Sequence, residues 1–130
     1  MPALSQDLTF VVQDTNTVYV SYPNTATDTM VYYSNKVQGD GYFGGSDGVH
    51  TVMYTATSDF QGSISMQASL SSEPSSSDWF TVIDTTVTYT SLDNRTTSTV
   101  DYFNFTGNFV WVRGVVSISA GAVESIQYNH

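Results

Sequence analysis

The side chains that could carry chemistry are few. Lys36, Arg95 and Arg113 are the only cations of the 130-residue chain, His50 and His130 its only histidines, and cysteine is absent. Thiol nucleophiles, thiolate metal sites and disulfide scaffolds are thereby excluded. His50 sits in GVHTVMY, on the same strand face as Val52 and Tyr54 when read with period two, and a hydrogen-bonded structural histidine is expected there. Carboxylate pairs spaced for glycoside hydrolysis are uninformative, since twelve Asp and Glu supply some such pair in any fold. Phosphate loops, dinucleotide fingerprints and zinc spacings are missing. The chain is read as non-enzymatic, with no catalytic, cofactor-binding or metal-binding residue assigned. Asp40 and Asp47 in DGYFGGSDG could ligate calcium with backbone carbonyls, but the segment lacks the alternating ligands and terminal Glu of an EF-hand, and an exposed loop is the expectation.

What remains is aromatic. Nine Tyr, seven Phe and two Trp are more than a small core readily encloses. Two of them, Tyr42 and Phe43, stand between glycines at a loop tip, as a binding anchor, as a plug into a neighbouring subunit, or folded back over their own domain. In TGNFVWVRGVVSIS the even positions Val110, Val112, Gly114, Val116 and Ile118 form an aliphatic face, while the odd positions set Phe109 and Trp111 beside Arg113. Either both faces are buried or one meets a partner. Trp111 is then core filled from an opposing sheet or part of a subunit contact.

The elements that must position these residues are strands. Short runs rich in Thr, Val, Tyr and Phe alternate with Gly, Asn, Asp and Ser, and helical periodicity is almost absent, so any helix should be a single turn. The cleanest run is GSISMQASL, with Ile64, Met66, Ala68 and Leu70 on one face and Ser63, Ser65, Gln67 and Ser69 on the other. Further runs lie near 7–12, 17–22, 29–33, 48–57, 79–83, 85–90, 97–105, 108–118 and 123–129, about ten strands in all. Reversals are expected at 13–16, 22–25, 91–94 and 120–121, and longer exposed connections at 38–48 and 71–78. So many short strands bury their apolar faces best as two packed sheets. The expected fold is all-β: one antiparallel β-sandwich domain spanning 1–130, with a jelly roll among its possible forms.

A net charge of −9 argues against nucleic acid and anionic membranes, which need clustered Lys and Arg. The N-terminus has no signal-peptide pattern, so a chain starting at or near Met1 is expected, and no stretch has the roughly eighteen consecutive apolar residues of a membrane span.

From about residue 63 to 128 the order of segments resembles small β-rich virion structural proteins of tailed bacteriophages, including cyanophages. The matching positions are Ser69-Leu70, Trp79-Phe80 and the strand Gly107-Asn108-Phe109-Val110-Trp111-Val112-Arg113. The resemblance implies a head, neck or tail accessory protein located in the virion, whose partners are further copies of itself and other virion proteins. It also implies that Trp79-Phe80 and Phe109-Trp111 pack as neighbouring aromatic strands, with Arg113 paired at the sheet rim to Asp78, Asp84 or Asp101. Tyr42, Phe43, Trp79, Phe109, Trp111 and Arg113 are the candidate contact residues. The alternative is a carbohydrate-binding module of a receptor-binding protein, in which Tyr42, Phe43 or Trp79 stacks on sugar faces.

Overall fold

The computed structural model describes residues 5–12, 14–23, 26–39 and 48–129. Among them thirteen strands form, where about ten were expected. The first six are short: β1 (Gln6–Asp7), β2 (Phe10–Val12), β3 (Thr15–Thr17), β4 (Val20–Ser21), β5 (Met30–Tyr33) and β6 (Val37–Gln38). From residue 49 onward come the long ones: β7 (Val49–Ala56), β8 (Gln61–Ser69), β11 (Thr99–Thr106), β12 (Trp111–Ala120) and β13 (Ala122–Asn129), with the short β9 (Phe80–Thr81) and β10 (Val87–Tyr89) between. The surplus arises because the first run breaks into β1 and β2, because turn residues Thr15 and Asn16 pair back onto β2, leaving the reversal to Asp14 with its φ of 66°, and because Val37–Gln38, at the start of the expected connection, pairs with Val112 and Trp111. Among the described residues the one helical element is a 3-10 turn at Ser91–Asp93. Its box is reciprocal: Thr90 caps the turn and the Asp93 carboxylate accepts from the Thr90 amide.

All pairings are antiparallel, and the strands divide into two sheets and a hairpin. One sheet runs β1-β13-β7-β11, with β4 also on β13; the other runs β10-β8-β12-β5, with β6 also on β12 and β9 on β8; β2 and β3 pair with each other. From β7 onward the chain changes sheet four times, at 57–60, 90–98, 107–110 and 121, so long neighbours are mostly distant in sequence. This is a β-sandwich. The sharpest crossing is Gly121, where φ is 74° and any Cβ would stand 2.5 Å from the Phe60 nitrogen. Residues 120–121 therefore turn the chain between layers instead of closing a hairpin.

Between the sheets lies an apolar core. Ile64, Met66 and Ala68 of β8 and Val112, Val116 and Ile118 of β12 face Val52, Tyr54 and Ala56 of β7 and Val123, Ile126 and Tyr128 of β13. Leu8 and Phe10 are also buried, and they fit because Gly114 leaves the space: a Cβ there would approach Leu8 Cδ1 to 2.8 Å. Leu70 departs from the expected alternation. Strand β8 ends at Ser69, so the pleat no longer constrains Leu70, which is 65% exposed.

Two polar clusters close the core. His50 is fully buried, with Nδ1 2.7 Å from the Tyr128 hydroxyl and Nε2 2.7 Å from the Gly107 carbonyl. A carbonyl only accepts, so Nε2–H donates to Gly107, and in the neutral ring Nδ1 accepts a hydrogen bond from the Tyr128 hydroxyl. The histidine is structural, as expected. At the opposite end of β7, the Tyr54 and Tyr89 hydroxyls are 2.6 Å apart, and burial, reinforced by that bond, raises the Tyr54 phenol well above its ordinary range.

Because Met66 is sealed and Gln67 half-buried on the opposite face, Met66→Asp is expected to abolish cooperative thermal unfolding, an unpaired buried charge costing several kcal/mol. Gln67→Asp should lower the melting temperature by only a few degrees. Equal tolerance in a thermal melt would contradict the register.

Candidate functional site

The outward side of the β8–β12 sheet gathers rings and cations. Three rows cross it: Thr81, Gln67 and Arg113; Ser65, Val115 and Tyr33; Ser69, Trp111 and Gln38. Trp79, one residue before β9, points the same way as Thr81. Phe80, between them, turns to the rim and meets the Phe109 ring edge-on at 5.8 Å.

Arg113 is the centre. Its guanidinium lies between two rings, 4.4 Å from the Tyr33 centroid and 4.3 Å from that of Trp79, while its Nε–H donates to Gln67 Oε1 at 2.9 Å. Its terminal nitrogens bond no other described residue. Burial lowers its pKa from the ordinary arginine value, with Tyr33 acting in the opposite sense, and an arginine so placed stays charged at neutral pH. Tyr33 itself is 49% exposed.

Beside this stack, Lys36 Nζ sits 4.6 Å from the Trp111 ring centroid, and the indole N–H donates to the Ser72 carbonyl at 2.9 Å. Lys36 is held there by the break between β5 and β6. Buried Ser34 accepts from the Gly114 amide at 2.7 Å, and Asn35 Oδ1 accepts from both the amide and the hydroxyl of Thr9. The gap in the edge is thus a fixed corner.

Several sequence expectations change. Trp111 is not core: the core side of β12 belongs to Val112, Gly114, Val116 and Ile118, and Trp111 is on the outer side, half-buried. Phe109 does not accompany it. Residues 107–110 precede the strand, which releases Phe109 from the alternation and lets its ring lie 5.6 Å from His50 and 6.2 Å from Phe105. The Trp79-Phe80 and Trp111 strands are not neighbours, because β8 runs between them. Arg113 pairs with rings and an amide instead of a carboxylate. Asp101 is on the other sheet, Asp84 is in a left-handed turn, and the Asp78 carboxylate caps the amide and hydroxyl of Ser75. Tyr42, Phe43, Asp40 and Asp47 lie outside the described residues.

The structure adds Tyr33, Lys36 and Gln67 to the site. Gln67 already belonged to the polar face of its strand, but Tyr33 and Lys36 reach β12 through a pairing some eighty residues apart in sequence, which no local pattern encodes. Among the described residues no group of three His, Asp or Glu side chains gathers as metal ligands. The arrangement offers flat ring faces, amides, hydroxyls and a fixed guanidinium, which is recognition chemistry.

Site and scaffold should separate energetically. Trp79→Ala is expected to cost about 0.5–2 kcal/mol of unfolding free energy, the range of a partly desolvated cation–π contact. His50→Ala, which leaves a void and strips partners from Tyr128 and Gly107, should cost roughly 2–5 kcal/mol. Urea unfolding of both variants checks the contrast, and a Trp79→Ala loss as large as that of His50→Ala would contradict it.

No protein-family model matches the chain, and no curated protein does. Among solved structures it is similar to the C-terminal CBM6 of LamC, a marine laminarinase from Zobellia galactanivorans, at 14% identity over 98% of this chain and 91% of that one, with a TM-score of 0.48.

Proposed function

We propose that this chain is a non-catalytic β-sandwich binding module whose ligand is carbohydrate, taken on the outward face of the β8–β12 sheet. One observation carries the reading: Tyr33, Trp79 and Trp111 stand partly exposed on a single sheet face, held by Arg113 and Lys36 and interleaved with Gln38, Gln67, Ser65 and Thr81. Pyranose rings present C–H groups to electron-rich ring faces and hydroxyls at their edges. Half-exposed aromatics with amides between them suit both. Rings already fixed by cations lose little rotamer freedom on binding, which favours affinity.

The test is a glycan array probed with the whole chain, followed by titration calorimetry on the best saccharide. Trp79→Ala and Tyr33→Ala should each weaken binding about tenfold or more, as loss of a contact anchor does. Absence of saccharide binding, or variants that bind as well as wild type, would overturn the reading.

A second reading, a bacteriophage virion component that assembles with further copies, is favoured by a different surface. Met53 and Tyr102 are cross-strand partners on the outer side of the first sheet, with Val100 beside them, and Tyr102 and Val100 are 64% and 65% exposed. β11 pairs only with β7 among the described strands, and Asp101 is its one charged residue, so it lacks the lysines that discourage edge pairing. Light scattering should then give a homo-oligomer that Val100→Lys with Tyr102→Lys converts to monomer. A monomeric wild type at high concentration would remove this reading.

A further inference from the structure

Deepening the proposed carbohydrate reading, on which it rests, the geometry points to a specific ligand class: we infer that Arg113 is a receptor for a single oxyanion, a uronate carboxylate or a sulfate ester, borne on an otherwise neutral saccharide.

The argument starts from what the guanidinium does and does not bond. Of its five N–H donors, Nε–H is taken by Gln67 Oε1, and the four on the terminal nitrogens have no partner among the described residues. The group is held by the Tyr33 and Trp79 rings, whose centroids lie 4.4 and 4.3 Å from its carbon, and by Gln67 at its base. A guanidinium fixed in this way presents a rigid fork, which matches the two oxygens of a carboxylate or sulfate bidentately. The two rings also exclude water from its faces, so an arriving anion meets a partly desolvated cation.

Arg95 supplies the internal comparison. It also lies over a ring, 4.4 Å from the Tyr89 centroid, but its terminal nitrogens are consumed by the carbonyls of Thr57 and Phe60 and the hydroxyl of Thr99. That arginine ties a crossing together. Arg113 ties nothing but Gln67.

Charge narrows the ligand. Two of the three cations, Arg113 and Lys36, belong to this face, whereas the chain as a whole carries −9 and repels densely charged polyanions at long range. Anions spaced singly along a neutral chain satisfy both conditions, with the sugar rings between them on Trp79 and Trp111.

The test compares matched pairs by titration calorimetry with the whole chain: an aldotetrauronic acid, one uronate on a xylotriose, against xylotriose for the carboxylate, and κ-carrageenan oligosaccharide against its desulfated form for the sulfate, the unsubstituted member of each pair being the neutral control. At least one acidic probe should bind about tenfold or more tighter than the neutral one, the range a charge-assisted bidentate contact supplies. Whichever acidic probe does so identifies the oxyanion. Arg113→Met keeps an apolar stem between the rings and should erase the acid preference; Arg113→Lys, charged but without the fork, should recover only part of it. Gln67→Leu, which frees the base of the fork, should reduce the acid preference several-fold, read as the ratio of acidic to neutral affinity so that any loss common to both probes cancels, and serves if the Arg113 variants fail to fold in a thermal melt. Neutral and acidic probes bound equally, or an acid preference that survives both Arg113→Met and Gln67→Leu, would overturn this inference and leave carbohydrate binding intact. Silence with every saccharide on the array and in titration would overturn both.

Discussion

Arg113 faces Gln67 because Gly114 faces Met66, and one register between β8 and β12 decides both. The two faces of a strand are locked together, so a slip of β12 by one residue would drive Arg113 inward and Val112 outward. The core and the outward face that carries Arg113 are therefore two sides of a single choice. The choice is enforced from inside. Gly114 is the one position in the middle of β12 with no side chain, and Leu8 and Phe10 occupy the room it leaves. A slipped β12 would offer Arg113 or Val115 to that space, and neither an unpaired charge nor a clash is tolerated in a close-packed interior.

How much of this could be read from the sequence follows from which interactions are local. GSISMQASL announced β8 and its buried face because alternation is a property of neighbours, and the reading failed at Leu70 where pairing stops. His50 was legible as a structural residue from its place beside Val52 and Tyr54. Phe109 was not, since its alternation with Trp111 holds only if 107–110 is strand, and it is a crossing. The Tyr33–Arg113–Trp79 stack was illegible for a stronger reason. It joins three segments brought together by two pairings of large sequence separation, and long-range register is not written in any one of them. An arginine on a strand with no adjacent carboxylate was the only sign that it needed another kind of partner.

The scarcity of cations gives the molecule a common device. Lys36, Arg95 and Arg113 each lie over an aromatic ring, at 4.6, 4.4 and 4.4 Å from a centroid. With twelve carboxylates available, ion pairs would have been the obvious partners. Aromatic faces hold a cation without neutralising it, and they leave its hydrogen-bonding edge open. In Arg95 that edge is filled by carbonyls from the crossing at 57–60, and the residue becomes part of the scaffold. Where the edge stays open, as in Arg113, positive potential persists on an acidic protein.

The placement of β13 also governs how the molecule can be made. It is the last described strand to leave the ribosome, yet it lies inside the first sheet, with β7 on one side and β1 and β4 on the other. Gln6 pairs with Tyr128 and Asp7 with Gln127, so the earliest described strand waits for the latest. Until β13 emerges, that sheet consists of the β7–β11 pair with its β13-facing edge open, a nascent chain exposed to pairing with its neighbours on the same polysome. Closure of the sandwich consequently waits for β13, and it is a slow step, because its decisive contacts join the two ends of the described residues.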